Sequence, residues 1–287
     1  MAWIRLPWRL TAFLLVLLTT SLAAVAIGII SGVRQQPVDR PRWASRCFRL
    51  MCHCLGWQIR VHGQPPSGGR VLMAANHISW VDIPALGSVV PTRFLSKAEV
   101  GRWPVIGWLA RQGGTLFINR GSGRSGDIRR EIAGVLQRAE PVLIFPEGTT
   151  SSGLSVLPIH GRLLGAASDA KAFIQPVSIG YRRQGRPDNL APFIGDDDFL
   201  GHLIRLLKQP PTHIEVLFHA PIPVDSAEST KALASQLHQT LDSGLAAIHS
   251  GQLGASPQSP IRTMAGPGQP RLPWRPYDPR FPDRNTG

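Results

Sequence analysis

The feature that most constrains this chain is an uncharged apolar segment near its N-terminus. From Leu10 to Val33 the sequence reads LTAFLLVLLTTSLAAVAIGIISGV, which is 24 residues without a charged side chain. A helix of about 20 apolar residues spans the hydrocarbon core of a bilayer. A helix of a soluble protein is rarely apolar on every side over such a length. Residues 1–33 are therefore predicted to form an N-terminal transmembrane anchor.

A cleaved signal peptide is the alternative for this segment. Arg5 and Arg9 provide a basic start, and SLAAVA contains the small residues of a cleavage site. The apolar run is longer than the core of a usual signal peptide, which has about 7–15 residues. Arginines are also denser after the run than before it. The positive-inside tendency then predicts that the rest of the chain lies on the cytoplasmic face of the inner membrane.

Residues 34–57 are expected to form a basic amphipathic helix at the membrane interface. The stretch RPRWASRCFRLMCHCLGW, residues 40–57, mixes arginines with large apolar side chains at helical spacing, which suits lipid headgroups. A helix packed against the following domain fits the pattern equally well. The segment also contains Cys47, Cys52, His53 and Cys54. Their spacing matches none of the paired patterns of structural zinc sites, so we predict no metal.

Strand-like and helix-like segments alternate through residues 58–250. The strand-like runs are WQIRVH, RVLMAAN, TRFLSK, GTLFINR, PVLIFPE, AFIQPVSIGYR and THIEVLFHA. This alternation predicts an α/β domain with a mixed, largely parallel sheet flanked by helices, closed by a last helix near residues 227–248. Functional sites in such sheets lie beyond the carboxyl ends of the strands. Residues 251–287 contain eight prolines and five arginines but few aliphatic residues, which predicts a disordered tail.

The sequence NHISWVD follows the apolar strand VLMAA and brings two titratable groups together. Ser79 and Asp82 match a capping box for a helix that starts near Trp80, and one interpretation gives Asp82 no other role. A carboxylate in the first helical turn can also bond His77, fix its tautomer and stabilise the imidazolium. The sequence contains no G-x-S-x-G nucleophile motif. Such a base would therefore act on a hydroxyl group that the substrate supplies.

A second motif, GGTLFINRGSGRSGD, is a strand followed by a basic, glycine-rich loop and a helix. Arg120, Arg124 and the loop amides would together hold an anion such as a phosphate. Residues Gly121–Gly126 also fit G-x-G-x-x-G, the pattern of dinucleotide sites. Here, however, the glycines begin only after a charged strand end, and the third precedes the helix. Anion binding is therefore the favoured interpretation.

A third motif, VLIFPEGTTSSG, is a buried strand followed by a polar turn. It delivers Glu147, Gly148 and Thr149 to the sheet edge that also receives His77. Taken alone, the segment PEGTTSSG could simply be a turn.

Taken together, the motifs resemble those of the glycerolipid acyltransferases. NHISWVD resembles the N-H-x4-D block of that family, LFINR its second block, FPEGT its third and QPVSIGY its fourth. The order and the spacings agree, and the resemblance covers residues 58–224.

The resemblance implies an enzyme that moves a fatty acyl group to the free hydroxyl of a lysolipid. The implied general base is His77, and Asp82 is the group that orients it. The implied substrate-binding residues are Asn119, Arg120, Glu147, Gly148 and Thr149. The donor would be acyl-CoA or acyl-acyl carrier protein, and neither a metal nor a bound cofactor is expected. The implied partners are the lysolipid, the acyl thioester, membrane lipids and, for one donor type, acyl carrier protein.

The family's commonest acceptor, 1-acyl-sn-glycerol-3-phosphate, is the first expectation, with phosphatidic acid as the product. Enzymes acting on lysophosphatidate usually have an arginine where this chain has Thr150. The segment GDDDFLGHLIRLL resembles the lyso-ornithine lipid branch, so lyso-ornithine lipid or another lysophospholipid is the alternative acceptor.

Two alternatives belong to other functional classes. A non-catalytic, membrane-bound lipid-binding protein could use the same pocket, although a pure binder needs no base. The net charge of +13 would also suit nucleic acid. Much of the excess arginine lies beside the apolar segment and in the tail, and no nucleic-acid motif accompanies it. We therefore expect no nucleic-acid partner.

Overall fold

The computed structural model of the protein describes residues 2–34, 38–119, 125–224 and 229–255. The predicted loop residues Arg120 and Arg124, the glycines of the G-x-G-x-x-G pattern before Ser125, and the predicted tail after Ala255 lie outside the described residues. The last helix was expected from about residue 227. It is described from Thr230 to Ser250 and is followed by a 3₁₀ helix, Gln252–Ala255.

The apolar segment lies within one helix, α1 (Ala2–Arg34), and residues Arg5–Val33 are long and apolar enough to cross a membrane. One side of α1 exposes large apolar side chains: Leu14, Leu18, Leu22 and Ile29. On the other side Phe13 is buried against Leu55, Leu203 and Leu207. The Arg9 guanidinium also donates to the carbonyl of Gln209. The N-terminal half of α1 is thus packed on the domain, and the exposed side suits lipid tails.

Helix α2 (Arg40–Leu55) connects the anchor to the domain. The Asp39 side chain accepts a hydrogen bond from the Arg42 backbone N–H, and the helix ends at Gly56 in the left-handed conformation (φ 72°) that glycine favours. Its buried residues are Pro41, Ser45, Cys52 and Leu55. The arginines at positions 42, 46 and 49 are exposed. One face of α2 therefore packs on the domain while its basic face remains accessible.

Seven strands lie where the sequence predicted them, and an eighth is very short. The strands are β1 (Gln58–Gly63), β2 (Val71–Ala75), β3 (Arg93–Lys97), β4 (Leu116–Ile118), β5 (Val142–Ile144), β6 (Phe173–Arg183), β7 (Arg186–Pro187) and β8 (His213–Phe218). The described strands form one sheet in the order β1-β8-β6-β2-β5-β3-β4, with β7 paired to β6. Strands β6, β2, β5, β3 and β4 are parallel, and β8 is antiparallel to β6. The predicted mixed, largely parallel sheet is confirmed.

Helices cover both faces of this sheet. The remaining helices are α3 (Asp82–Val89), α4 (Ala98–Gly101), α5 (Ile106–Gln112), α6 (Ser125–Gln137), α7 (Gly165–Asp169), α8 (Phe199–Lys208) and α9 (Thr230–Ser250). Alternate residues of β2 point to opposite faces. Leu72 and Ala74 pack with α6, α7 and α9. Met73 and Ala75 pack with α3 and α8. The central strand is consequently buried on both sides, which explains its continuous apolar sequence.

Helix α3 begins later than the capping motif predicted. The expected start was near Trp80, but the helix begins at Asp82 and its N-cap, Val81, makes no side-chain cap bond. The Ser79 backbone N–H donates to the Asp82 carboxylate, as in a capping box, whereas the Ser79 hydroxyl has no partner. The Asp82 side chain holds residues 78 and 79 by their backbone N–H groups, and a hydrogen-bonded turn from Ser79 to Asp82 leads into the helix.

The contact between α2 and α3 depends on a glycine. A Cβ at Gly87 of α3 would overlap the Phe48 ring of α2 and come within 3.2 Å of the Phe94 ring. We expect Gly87→Ala to destabilise the protein by about 1–3 kcal/mol because the interior is overpacked. Activity should fall as well, because α3 carries Asp82. The midpoint of thermal unfolding in detergent measures the first effect.

Gly134→Ala in α6 is the matched control. The nearest atom to a Cβ at Gly134 lies 4.0 Å away, so alanine should stabilise this helix by up to about 1 kcal/mol through its propensity. Equal effects of the two substitutions would contradict the close packing at Gly87.

Candidate active site

The polar residues of the first motif leave the sheet at the carboxyl end of β2. The Asn76 side chain is buried and bonds both backbone groups of Ile179 in β6, accepting from its N–H at 2.8 Å and donating to its carbonyl at 2.9 Å. These two bonds continue the pairing of β2 with β6 by one residue. They fix the point at which the chain turns away from the sheet, and therefore the position of His77.

The His77 ring and the Asp82 carboxylate are in direct contact. The distance from His77 Nδ1 to Asp82 Oδ2 is 2.7 Å. Asp82 is fully buried, and the same oxygen accepts the backbone N–H groups of Ile78 at 2.7 Å and Ser79 at 3.0 Å. A buried carboxylate with several donors is favoured in its ionised form. It therefore holds the proton of neutral His77 on Nδ1 and leaves Nε2 able to accept another.

An aromatic ring stacks against one face of the imidazole. Phe145, which follows β5, stacks on His77 with the ring centroids 3.9 Å apart and the planes 14° apart. The His77 side chain retains 17% of its exposure. The ring is thus held on one face and at Nδ1, yet it is not sealed from a substrate.

Glu147 lies behind the histidine loop. Its carboxylate is buried and accepts the backbone N–H of His77 at 2.7 Å and that of Leu157 at 2.8 Å. Burial raises the pKa of Glu147 to about 7, with a smaller contribution from the charge of Asp82, while the two N–H donors favour the ionised form. The turn after β5 and the loop after β2 are therefore joined through this side chain.

The other predicted substrate-binding residues lie in a turn, at exposed positions or outside the described residues. Gly148 closes the turn after β5 by donating its N–H to the Phe145 carbonyl at 3.0 Å, in a conformation with φ 76°. Thr149 and Asn119 are exposed at the same edge of the sheet. Arg120 lies outside the described residues. The substrate-binding roles of all of these residues, and of Glu147, remain predictions.

Thr150, the position that departs from lysophosphatidate enzymes, is engaged within the protein. Its hydroxyl donates to the carbonyl of Phe193. The Phe193 N–H in turn donates to the Ile78 carbonyl at 2.9 Å. The backbone of Phe193 thus joins the loop before α8 both to Thr150, in the turn after β5, and to the histidine loop.

Sequence reasoning missed one residue that contacts the pair. Tyr181 of β6 is buried, and its hydroxyl donates to Asp82 Oδ1. It belongs to the fourth motif, QPVSIGY, and the alternation of a strand places it on the same face as Ile179. That alternation was the available signal, but it does not reveal which side chain a buried tyrosine meets.

Comparisons with known proteins agree with this geometry. A family model described as Acyltransferase matches residues 58–180. A lyso-ornithine lipid O-acyltransferase of Pseudomonas aeruginosa is 47% identical over 199 residues, covering 69% of this chain and 75% of that protein. The chain belongs to the acyltransferase family. The resemblance seen in its motifs is confirmed, and the alternative of a non-catalytic lipid-binding protein is set aside.

Two further similarities bear on function and fold. A 1-acyl-sn-glycerol-3-phosphate acyltransferase of Neisseria gonorrhoeae is 35% identical over 178 residues, covering 62% of this acyltransferase and 70% of that protein. The crystal structure of the LPA acyltransferase PlsC from Thermotoga maritima matches with a TM-score of 0.57, covering 88% of this chain and 100% of that one. At 20% identity the latter establishes the fold alone. The protein is an acyltransferase of lysolipids.

The raised pKa of Glu147 predicts a specific pH dependence of stability. The Glu147 carboxyl loses its proton near pH 4.5 in the unfolded chain but only near pH 7 in the folded protein. Between these two values the folded protein therefore binds one proton more. This group's contribution to the free energy of unfolding therefore falls as pH rises through that window, by on the order of 3 kcal/mol in total. Glu147→Gln removes the titration. Relative to wild type, the variant should gain stability by up to that amount between pH 4.5 and pH 8, as measured by denaturant unfolding in detergent.

In Glu147→Gln the amide NH₂ group faces a backbone N–H donor, which lowers the stability of the variant by the same amount at every pH. This loss therefore does not change how the stability difference from wild type varies with pH. Glu131→Gln, at an exposed position of α6, controls for the loss of a surface carboxylate. A Glu147→Gln difference that is constant with pH would show that the Glu147 carboxyl does not titrate in this range.

Proposed function

We propose that this acyltransferase moves a fatty acyl group from an acyl thioester to the free hydroxyl of lyso-ornithine lipid, with His77 as the general base. The observation that carries the proposal is the 2.7 Å contact between His77 Nδ1 and the buried Asp82 carboxylate. This pair, at the carboxyl end of a central strand, can remove a proton from a substrate hydroxyl. No protein nucleophile is required, because the acceptor supplies its own oxygen.

The reaction follows from the proton-accepting position of the ring. His77 Nε2 takes the proton of the acceptor hydroxyl as its oxygen attacks the thioester carbonyl. Asp82 stabilises the imidazolium that forms. The tetrahedral intermediate then collapses, the carbon–sulfur bond breaks, and the imidazolium returns its proton to the leaving thiolate. The products are the diacylated lipid and the free thiol of coenzyme A or acyl carrier protein.

Two observations favour lyso-ornithine lipid over lysophosphatidate, which the motifs alone had put first. The lyso-ornithine lipid O-acyltransferase of Pseudomonas aeruginosa is 47% identical to this chain. The 1-acyl-sn-glycerol-3-phosphate acyltransferase of Neisseria gonorrhoeae is 35% identical. Thr150 occupies the position of the missing arginine and bonds the Phe193 carbonyl, so this position supplies no cation for a phosphate. Lysophosphatidate remains the second candidate because of the Neisseria gonorrhoeae relative and the two arginines at positions 120 and 124.

The proposed location is the cytoplasmic face of the inner membrane. The packing of α1 against α8 supports a position of the domain at the membrane surface, because it holds the apolar helix beside the domain. The arginines that follow α1 favour the cytoplasmic side.

An acceptor screen tests the proposed substrate. Purified protein receives a radiolabelled acyl-CoA or acyl-acyl carrier protein together with lyso-ornithine lipid, lysophosphatidate or another lysophospholipid in parallel micelles. We expect kcat/KM for lyso-ornithine lipid to exceed that for lysophosphatidate by at least about tenfold, which corresponds to about 1.4 kcal/mol of transition-state binding. The reverse order would move the second candidate to first place.

His77→Ala tests the base. We expect turnover to fall by at least about a hundredfold, because general base catalysis contributes roughly that much, while thermal stability and membrane association are kept. The control is His53→Ala on the exposed side of α2, which should retain full activity. Turnover in His77→Ala close to that of wild type would remove the mechanism.

A further inference from the structure

The inner side of the active site contains a tyrosine to which the motif analysis gave no role. Tyr181 lies on β6, is only 2% exposed, and faces the same side of the sheet as Ile179 and α3. Its hydroxyl donates to Asp82 Oδ1. It does not reach the reacting atoms, since Asp82 stands between it and the imidazole.

The donors around Asp82 are divided unequally between its two oxygens. Oδ2 accepts the His77 ring and the backbone N–H groups of Ile78 and Ser79. Oδ1 accepts the hydroxyl of Tyr181. With both oxygens held, the carboxylate cannot rotate away from the imidazole.

We propose that Tyr181 is a positioning residue for acyl transfer: through its hydrogen bond to Asp82 it sets the orientation of His77 and the basicity of its ring. The proposal rests on the proposed function, since it assumes that His77 is the base. When His77 takes the acceptor's proton, the Nδ1 proton must stay on the ring. The phenol's hydrogen bond to Oδ1 holds Asp82 in the orientation that keeps Oδ2 on this proton.

The other titratable groups around this pair favour the role. Burial and the nearby Asp82 charge raise the pKa of Tyr181 well above its usual value, so the phenol remains a donor. Burial raises the pKa of the Cys52 thiol of α2 to about 12, so it is neutral beside Tyr181. Asp188, near Tyr181, is paired with Arg183 at 2.8 Å and bonded by Thr212. Glu147 meets His77 through the backbone N–H rather than through the ring.

Tyr181→Phe removes the hydroxyl and leaves the ring in place. With one donor fewer, more charge remains on Asp82 to stabilise the His77 imidazolium. The acid limb of the profile of kcat/KM against pH should therefore move to higher pH, by about half a unit or more. Without the hydroxyl the Asp82 carboxylate can also rotate, and the imidazole is no longer held in one orientation. We therefore expect kcat to fall on the order of tenfold, while KM for both substrates stays within about twofold of wild type.

The control is Val177→Ala, four residues earlier on the same face of β6. It perturbs core packing without touching Asp82, so its pH profile should match wild type. A Tyr181→Phe enzyme with an unchanged limb and kcat within twofold of wild type would overturn the proposal. A purely structural tyrosine would lower the thermal midpoint and leave the pH profile in place.

A second variant does not depend on the folding of Tyr181→Phe. The chain has two tyrosines, Tyr181 and Tyr277, so biosynthetic 3-fluorotyrosine in a Tyr277→Phe background labels position 181 alone. The fluorinated phenol is more acidic and donates more strongly. The acid limb should therefore move to lower pH, opposite to Tyr181→Phe. No movement, or movement to higher pH, would overturn the proposal.

Failure of the proposal and failure of the proposed function are distinguishable. If His77 is not the base, His77→Ala retains turnover. If only the role of Tyr181 is wrong, His77→Ala is inactive and the acid limb is unaffected by either change at position 181.

Discussion

The structure around the active site depends on the burial of one carboxylate. Asp82 has no exposed surface, and a buried charge is strongly unfavourable unless donors compensate it. Four donors do so, and they come from three kinds of structure: the imidazole, two consecutive backbone N–H groups before α3, and a phenol on β6. The extended path of residues 77–79, the late start of α3 and the buried hydroxyl of β6 all follow from this requirement. The groups that keep the charge stable are also the groups that aim the imidazole.

The same segment links the chemistry to the membrane side of the molecule. Trp80, in the turn before α3, donates its indole N–H to Nδ1 of His202 on α8 at 3.0 Å. His202 therefore carries its proton on Nε2 and donates it to the Pro192 carbonyl at 3.0 Å. Burial lowers the pKa of His202, which keeps it neutral and able to accept the indole N–H. Leu203 and Leu207 of α8 pack in one cluster with Phe13 of α1, and Trp80 packs against the same cluster, so the apolar helix and the histidine loop share one packed region.

The sequence allowed much of the fold and part of the site to be predicted, for physical reasons. Strands buried on both faces, such as Val71–Ala75, are continuous apolar runs bounded by polar residues, so their positions were recognisable. The contact between His77 and Asp82 could be anticipated because only four residues, in the turn before α3, separate them. The hydroxyl of Tyr181 comes from a strand 99 residues away from Asp82 in sequence. Which distant side chains meet in this way depends on the order of the strands in the sheet, which the sequence does not reveal. Helix α8, whose sequence is FLGHLIRLLK, was not predicted, although its apolar residues recur at helical spacing and Asp198 caps its start.

The position of Glu147 bears on where acceptor selectivity resides. Its two carboxylate oxygens accept the backbone N–H groups of His77 and Leu157, and its side chain is buried. A carboxylate already holding two donors in the interior is poorly placed to bind a lipid headgroup as well, since a new partner would have to displace one of them. We infer that Glu147 acts on the acceptor through the shape of the histidine loop. Asn119 and Thr149 are exposed at the same edge, and direct recognition of the headgroup by them remains a prediction. If they bind the headgroup, substitutions at these two positions should alter which lysolipid is accepted, while the contact between His77 and Asp82, which is held from within, stays in place.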